Sequence, residues 1–264
     1  PYCYIENDRT VGIPQNWLDD RLFGSNQASL QGPSMEYWNF EQLLPRFSRE
    51  ADNYISQRAK DDEPFFLFLP MTSPHTPLAV NKKFIGSSGL GNLYADFVVE
   101  TDDIFGQILT SLQKSKIEEN TIVIFASDNG CASYIGVEQM EKQGHYPSAH
   151  FRGYKADIWD GGHRIPLIVR WPETIKKGSI SNSMVSLADF MGTVADILGE
   201  TLDDNHAPDS FSMLPIFKDP IVYIRKYLVQ HSFYGKFAIR DESMKLVLAA
   251  GSGGWTFPDK IAEE

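Results

Sequence analysis

Residues 121–130 read TIVIFASDNG, an apolar run followed by turn-forming residues. The β-branched and aromatic residues of 121–126 predict a strand that is buried on both faces. Asp128, Asn129 and Gly130 follow it, and ligands of open α/β sheets bind just beyond the carboxyl ends of strands. Asp128 offers a carboxylate and Asn129 an amide oxygen, both suited to Ca²⁺ or Mg²⁺. Taken alone, these residues are better explained as an ordinary turn, so the rest of the chain must decide.

The composition indicates one large domain or one and a half. The chain has 264 residues, of which 42% are hydrophobic and 12% aromatic, enough for a substantial core. Its net charge of -11 argues against a general nucleic-acid binder. An anionic small substrate stays compatible, because a few local cations can focus a field against the global charge. The two cysteines, Cys3 and Cys131, form neither a disulfide framework nor a zinc-ligand pattern.

The ends of the chain suggest a piece of a longer protein. It starts PYCYIENDRT, without Met, and stops at PDKIAEE. No apolar run reaches transmembrane length, and no signal peptide is visible. We therefore expect that some motifs of the complete protein lie outside this chain.

The order of predicted elements is that of an α/β protein. Helices are predicted over 40–59 and 92–116 from apolar residues at helical spacing, with Asn92 as N-cap. The run FFLFL at 65–69 predicts a second buried strand, which forms a βαβ unit with the second helix and 121–126. These elements predict a mostly parallel central sheet flanked by helices.

Later elements complete the predicted architecture. Residues 166–171 predict a further strand, and 184–198 an amphipathic helix that ends at Gly199. Its inward residues should be Leu187, Phe190, Met191, Val194 and Leu198. Short runs after 227 predict a small antiparallel sheet. We thus expect a partial catalytic α/β domain over 1–200 and a C-terminal subdomain over 201–264.

Three strand-loop segments carry residues with related chemistry. His75 lies in the loop TSPHTP after the predicted 65–69 strand, Asp128 and Asn129 follow the next strand, and Lys155 lies in GYKADIWDGGHR. An acid-amide metal pair, an imidazole and a cation are the parts needed to hydrolyse an anionic ester. Each residue alone has an ordinary structural explanation, since a lone histidine or surface lysine is seldom catalytic.

The ordered set of motifs resembles the type I sulfatases, the arylsulfatase branch of the alkaline-phosphatase-like superfamily. The matching pieces are PFFLFLPMTSPHTP, TIVIFASDNG, GHYPSAHFRGYKADIWDGGHRIPLIVRWP, SLADFMGTVADILG and HSFYGKFAIRDESMKLVLAAGSGGW. The resemblance implies that Asp128 and Asn129 bind Ca²⁺, with Mg²⁺ as the other option. It also implies that His75 protonates the leaving oxygen and that Lys155 holds a sulfate oxygen.

The nucleophile of such enzymes is absent from this chain. In the family it is a formylglycine made from Cys or Ser in a C/S-x-P/A-x-R signature, and neither Cys3 nor Cys131 has those neighbours. The family's early Asp-Asp metal pair and its Gly-Lys-Trp-His stretch are missing too. Because all three belong upstream of Pro1, we expect them in a missing upstream segment, and we expect this chain alone to be inactive.

Other residues near these motifs have weaker assignments. His145 and Arg152 are candidate substrate-binding residues of the long loop 130–155, although a solvated loop face explains them about as well. Arg164 is interpreted as structural and Cys131 as a small buried residue. His163 has no assigned role.

The predicted function is metal-assisted hydrolysis of a small aryl or carbohydrate sulfate ester. The alternatives are a phosphoester or phosphonate hydrolase of the same superfamily, and a non-catalytic binding remnant. The resemblance implies an exported protein. The absence of an N-x-S/T acceptor favours a periplasmic or secreted bacterial enzyme over a lysosomal one. The sequence does not predict the oligomeric state.

Overall fold

The computed structural model describes residues 1–22, 29–203 and 205–256. Its contacts divide the chain into two compact units, Pro1–Glu118 and Glu119–Glu264. The predicted domain boundary at residue 200 stays a prediction, and residues 204 and 257–264 of the predicted C-terminal subdomain lie outside the described residues.

The first unit combines two small hairpins with two long helices. Strands β1 and β2 pair antiparallel, as do β3 and β4. The elements are β1 Ile5–Glu6, β2 Arg9–Thr10, β3 Asn16–Leu18, β4 Gly32–Ser34, α1 Leu43–Arg58 and α2 Leu93–Lys114.

Both predicted helices of this unit are confirmed. Asn92 caps α2, because its side-chain oxygen accepts hydrogen bonds from the backbone N–H groups of Tyr94 and Ala95 at 2.8 and 3.1 Å. The apolar stripes of the two helices meet the core of the unit. Its buried members are Phe40, Leu44, Leu78, Ala79, Val80, Phe84, Phe97 and Ile104.

The predicted buried strand over 65–69 is wrong in this structure. The segment pairs with no other described strand. Phe66 and Phe68 are 75% and 74% exposed, whereas Phe65, Leu67 and Leu69 are half-buried. This period of two is the exposure pattern of an extended chain with one covered face. The sequence therefore encodes an extended segment, but no strand of the described residues covers its second face.

The second unit contains a two-stranded and a three-stranded sheet. β5 pairs antiparallel with β6, from Val123 opposite Arg170 to Ala126 opposite Leu167. The strands β7, β8 and β9 form an antiparallel sheet in sequence order, which confirms the predicted small terminal sheet. The elements are β5 Val123–Ala126, α3 Val137–Lys142, α4 Asp160–His163, β6 Leu167–Arg170, α5 Asp189–Leu198, α6 Leu214–Lys218, β7 Leu228–His231, β8 Phe237–Arg240 and β9 Lys245–Val247.

Strand β5 was predicted to be buried on both faces, and this prediction is wrong in the structure. Ile124 is exposed, and Ile168 of β6 is exposed on the opposite face of the pair. The paired strands of the described residues all run antiparallel, so the predicted parallel sheet is not seen among them. The further strand predicted at 166–171 is confirmed as β6.

Helix α5 ends at Gly199 in the left-handed conformation, as predicted, but it buries a different face. Leu187, Met191, Val194 and Leu198, all predicted to point inward, are exposed. The buried side carries Asp189 and Thr193, which bond to neighbouring segments. Thr193 Oγ1 accepts the backbone N–H of Met213 at 2.9 Å, for example. The polar contacts of Asp189 and Thr193 therefore determine which face of α5 is buried.

Candidate functional site

The turn after β5 carries the two predicted metal ligands. Asp128 is exposed and its Oδ1 accepts the backbone N–H of Asn129 at 2.9 Å. The Asn129 amide nitrogen donates to the Gly130 carbonyl at 3.0 Å. Because the amide nitrogen makes this bond, the oxygen of the same amide is the group that can coordinate a metal. Both residues follow the carboxyl end of a strand, as predicted.

A close backbone contact fixes this turn against α4. Gly130 donates its N–H to the Gly162 carbonyl at 3.0 Å, and Gly161 donates to the Arg152 carbonyl at 2.8 Å. A Cβ on Gly130 would lie 1.8 Å from the carbonyl oxygen of Gly161. Only glycine fits there, so the turn after β5 and the GGHR motif approach each other through bare backbone.

Lys155 lies next to the same turn. Its backbone N–H donates to the Cys131 carbonyl at 2.7 Å, one residue beyond Gly130. Its side chain is half-buried, and no salt bridge joins it to an acid within the described ranges. Such a cation has its charge available for an anionic ligand.

Cys131 is half-buried rather than fully buried, and its Sγ lies 3.6 Å from the Ser148 hydroxyl. Burial raises the pKa of its thiol, which keeps the sulfur protonated and unreactive near neutral pH. This agrees with its interpretation as a structural residue.

His75 lies in the first unit, on an exposed loop. A 2.7 Å hydrogen bond between the Thr101 hydroxyl and Ser73 Oγ ties this loop to α2. The His75 Nδ1 lies 2.8 Å from the Thr76 carbonyl, which can only accept a hydrogen bond. Nδ1 therefore carries hydrogen, and Nε2 is the nitrogen that can exchange a proton with a ligand. The predicted meeting of His75 with Lys155 stays a prediction.

The two candidate substrate-binding residues differ in their surroundings. Arg152 is held with its guanidinium 3.6 Å from the ring centroid of Trp159, and its carbonyl belongs to the glycine contact above. His145 is exposed and donates its backbone N–H to the Met140 carbonyl at the end of α3. The structure thus joins Arg152, but not His145, to the segment that carries Lys155.

Sequence reasoning missed two acids near these motifs, of which Asp157 is buried and Asp160 is half-buried. Asp157, two residues after Lys155, is 1% exposed, and its Oδ1 accepts the backbone N–H of Trp255 at 3.0 Å. Asp160 accepts hydrogen bonds from Arg240 at 3.1 Å and Lys245 at 2.9 Å. Burial opposes its ionisation, but those two cations outweigh burial and lower its pKa. The available signal for both was an acid in the short segment between Gly153 and Gly161.

His163, which had no predicted role, is part of this charged cluster. Its Nε2 is buried and has no hydrogen-bond partner among the residues described. Burial lowers the pKa of the imidazole, and the nearby charge of Lys245 lowers it further. The ring is therefore held neutral inside the fold.

The donor set for a metal is small in this chain. In the part that the structure describes, no group of three or more His, Cys, Asp or Glu residues is placed to hold a metal ion. Asp128 and Asn129 still offer two hard oxygens with free lone pairs, a donor type that fits Ca²⁺, which takes six to eight such ligands. Among the described helices, none has both the length and the apolar character to span a bilayer.

Known proteins similar to this chain agree with its motifs. The sulfatase family profile matches residues 5–200. The chain is 30% identical over 213 residues to the N-acetylgalactosamine-6-O-sulfatase of Bacteroides thetaiotaomicron, covering 80% of this chain and 41% of that protein. It is 38% identical over 204 residues to an arylsulfatase of Hemicentrotus pulcherrimus, covering 77% and 35%.

Solved structures show the same fold. One, from work on the metabolism of multiple glycosaminoglycans by Bacteroides thetaiotaomicron, matches with a TM-score of 0.79 at 25% identity. It covers 94% of this chain and 58% of its own. Another, a complex with a neocarrahexaose, has a TM-score of 0.67 at 25% identity, with 84% and 49% covered. The chain spans less than half the length of the two curated relatives above. The chain belongs to the sulfatase family.

Proposed function

We propose that this chain is the part of a sulfuric ester hydrolase that supplies two metal ligands, a sulfate-binding lysine and the general acid. The observation that carries this is the 2.7 Å hydrogen bond from the Lys155 backbone to Cys131. Through it Lys155, which forms no salt bridge with any acid in the part of the chain that the structure describes, stands beside the turn of Asp128 and Asn129. A cation and hard oxygen ligands on adjoining backbone are what an anionic ester needs for recognition.

Asp128 and Asn129 would hold Ca²⁺, with Mg²⁺ as the other option. The bound ion would polarise a sulfate oxygen and offset its charge. Ca²⁺ takes about six to eight oxygen ligands, so two from this chain leave the remainder to other protein groups and water. Asn129 would contribute its amide oxygen, since its amide nitrogen already donates to the Gly130 carbonyl.

Lys155 and His75 would have two further roles, which are sulfate binding and proton donation. Lys155 would hold a sulfate oxygen by charge-assisted hydrogen bonds. His75 in its charged form would donate the Nε2 proton to the leaving oxygen, since its Nδ1 hydrogen is committed to the Thr76 carbonyl. A formylglycine from the upstream part of the protein would supply the nucleophile. The chain itself therefore orients the ester and moves a proton.

The substrate is a sulfate ester, aryl or carbohydrate. The Bacteroides relative named as an N-acetylgalactosamine-6-O-sulfatase and the structure solved with a neocarrahexaose favour a carbohydrate. Arg152, whose guanidinium lies 3.6 Å from the ring centroid of Trp159, would offer a cationic group to such a ligand, and His145 a second polar group on the same loop. Export to the periplasm or the medium suits a substrate of this kind.

The complete catalytic domain would have the mostly parallel, helix-flanked sheet predicted from the sequence. The exposed second face of 65–69 and the exposed Ile124 and Ile168 support this, because they are surfaces that further strands would cover. The sulfatase match over 5–200 supports a catalytic domain that ends near residue 200.

Hydrolysis of a chromogenic aryl sulfate with added Ca²⁺ tests the proposal. The assay compares this chain with a protein extended upstream to include the formylglycine signature. We expect turnover only by the extended protein, and a loss of roughly 10²–10⁴ in kcat when His75→Ala is introduced, as for a general acid.

The outcomes separate the alternatives. If the short chain turns over the sulfate and His75→Ala abolishes this activity, the nucleophile lies within this chain and not in the upstream segment. Hydrolysis of a phosphate ester in preference to the sulfate would favour the phosphoester alternative. Absence of turnover by the extended, formylglycine-bearing protein would favour a binding remnant.

A further inference from the structure

Asp157 is a buried acid beside Lys155 that the proposed reaction does not use. It is 1% exposed. Its Oδ2 accepts the backbone N–H of Tyr154 at 2.9 Å, on the other side of Lys155. Its Oδ1 accepts the backbone N–H groups of Trp255 and Thr256 at 3.0 and 3.1 Å, and the Thr256 hydroxyl donates to Oδ2. One carboxylate therefore ties the Lys155 turn to residues nearly a hundred positions later.

Residues 252–256, here called the closing segment, hold this turn at a second point. The backbone N–H of Ile158 donates to the Ser252 carbonyl at 2.7 Å. The segment also packs closely, because a Cβ on Gly254 would lie 2.4 Å from the carbonyl carbon of Ala156. Contacts of two kinds, hydrogen bonds and backbone packing, thus join the closing segment to the residues that follow Lys155.

The backbone conformation beside Lys155 needs this support. Ala156 has a φ of +79°, in the left-handed region that is unfavourable for alanine. Such conformations persist where surrounding structure enforces them, and they gather at functional sites. The Ala156 carbonyl accepts the backbone N–H of Phe233 at 2.9 Å, which holds the strained residue from a third side.

A lysine side chain is long and flexible, so the point at which it is rooted determines where its ammonium can reach. On one side Lys155 is fixed by its hydrogen bond to Cys131, and on the other by the turn that Asp157 closes. We propose that Asp157 is a positioning residue, which uses the closing segment to aim Lys155 at the sulfate. The role of Lys155 in this statement rests on the proposed function, whereas the clamp itself does not.

Limited trypsin digestion of the 264-residue chain tests the clamp without any activity. Thr256→Val removes the hydroxyl that donates to Asp157 and leaves the sequence around Lys155 intact, and Thr256→Ser keeps the hydroxyl. Loss of a hydrogen bond to a charged group should raise cleavage after Lys155 by about 10-fold or more in Thr256→Val. Cleavage after the exposed Lys176 should stay the same, and Thr256→Ser should behave as the parent chain.

Amide hydrogen exchange on the same variants distinguishes local loosening of this turn from general unfolding. Residues 153–158 should exchange faster in Thr256→Val, while α5 keeps the parent rate. Unchanged cleavage after Lys155, or equal acceleration throughout the second unit, would overturn the clamp.

Kinetics of the upstream-extended protein test the positioning role. Asp157→Asn should lower kcat/KM for the aryl sulfate by up to about 100-fold, the loss expected from a displaced catalytic group. In a Lys155→Ala background the same change should have no further effect. Asp189→Asn, which alters another buried acid that accepts backbone N–H groups, should lower kcat/KM by the same factor in both backgrounds.

The two experiments fail in different ways. Equal losses from Asp157→Asn with and without Lys155 would overturn the positioning role and leave Asp157 as a structural acid. If the extended protein hydrolyses no sulfate ester, the proposed function fails, and the digestion still decides whether Asp157 and the closing segment hold the turn.

Discussion

Replacing Gly130 by alanine should destabilise the second unit sharply. The added Cβ would lie 1.8 Å from the Gly161 carbonyl oxygen and 2.9 Å from its carbon, well inside the 3.4 Å at which ordinary contacts begin. Both obstructing atoms belong to backbone, so no side-chain rotation relieves the clash. One of the two segments has to move, and the 3.0 Å hydrogen bond from Gly130 to Gly162 cannot survive that movement.

The size of the effect follows from these two losses. Overpacking of a tight interior contact costs about 1–3 kcal/mol, occasionally more. Loss of a backbone hydrogen bond adds about 1 kcal/mol. We expect Gly130→Ala to reduce the unfolding free energy by roughly 3 kcal/mol. With a urea dependence of about 2 kcal/mol per molar, the midpoint should fall by roughly 1.5 M.

Urea unfolding followed by circular dichroism and tryptophan fluorescence measures this shift. Gly106→Ala is the matched control, because Gly106 lies inside α2 and its added Cβ would meet nothing within 4 Å. A helical glycine replaced by alanine should raise the unfolding free energy by about 0.5–1 kcal/mol. An unchanged or raised midpoint for Gly130→Ala would refute the close contact between the turn after β5 and α4.

Three further predictions concern buried polar groups. Asp189→Ala should reduce the unfolding free energy by about 3–5 kcal/mol in urea titrations, because it strands the buried guanidinium of Arg225, its ion-pair partner. Burial lowers the pKa of His163, so the stability it contributes is present above its unfolded pKa of about 6.5 and is lost as pH falls through its lower folded pKa. Urea midpoints at pH 7 and 5 should show that loss in the parent chain and in a His150→Gln control, but less of it in His163→Gln. Asn92→Ala should lower the unfolding free energy by about 1 kcal/mol in thermal or urea unfolding, because it removes the cap of α2. Asn92→Ser should keep most of the parent stability, because serine is also a good N-cap.

The sequence was most informative where one signal was local and complete. Helix α2 has an N-cap and a stripe of apolar residues, and both are readable without knowing its neighbours. The same holds for the turn after β5, where Asp128, Asn129 and Gly130 follow an apolar strand directly. Local structure of this kind depends on nearby residues alone, so pattern and outcome agree.

The prediction failed where burial depends on a partner elsewhere. The apolar stripe of α5 and the FFLFL run both have the periodicity of buried elements, yet Leu198, Phe66 and Phe68 are exposed. Periodicity shows which side chains would share a face and says nothing about what covers that face. Asp157 was missed for a related reason, since its partners are about a hundred residues away and no local pattern records them.

The bare-backbone contact between Gly130 and Gly161 also has a consequence for engineering. A library that randomises the whole motif region would lose most members to misfolding at these two positions, whatever the rest of the sequence. The exposed residues of 138–152 meet no such restriction, because their side chains lie at the surface of the loop and of α3. Sequence diversity is therefore tolerated best at these exposed positions, Arg152 and His145 among them, with both glycines held fixed.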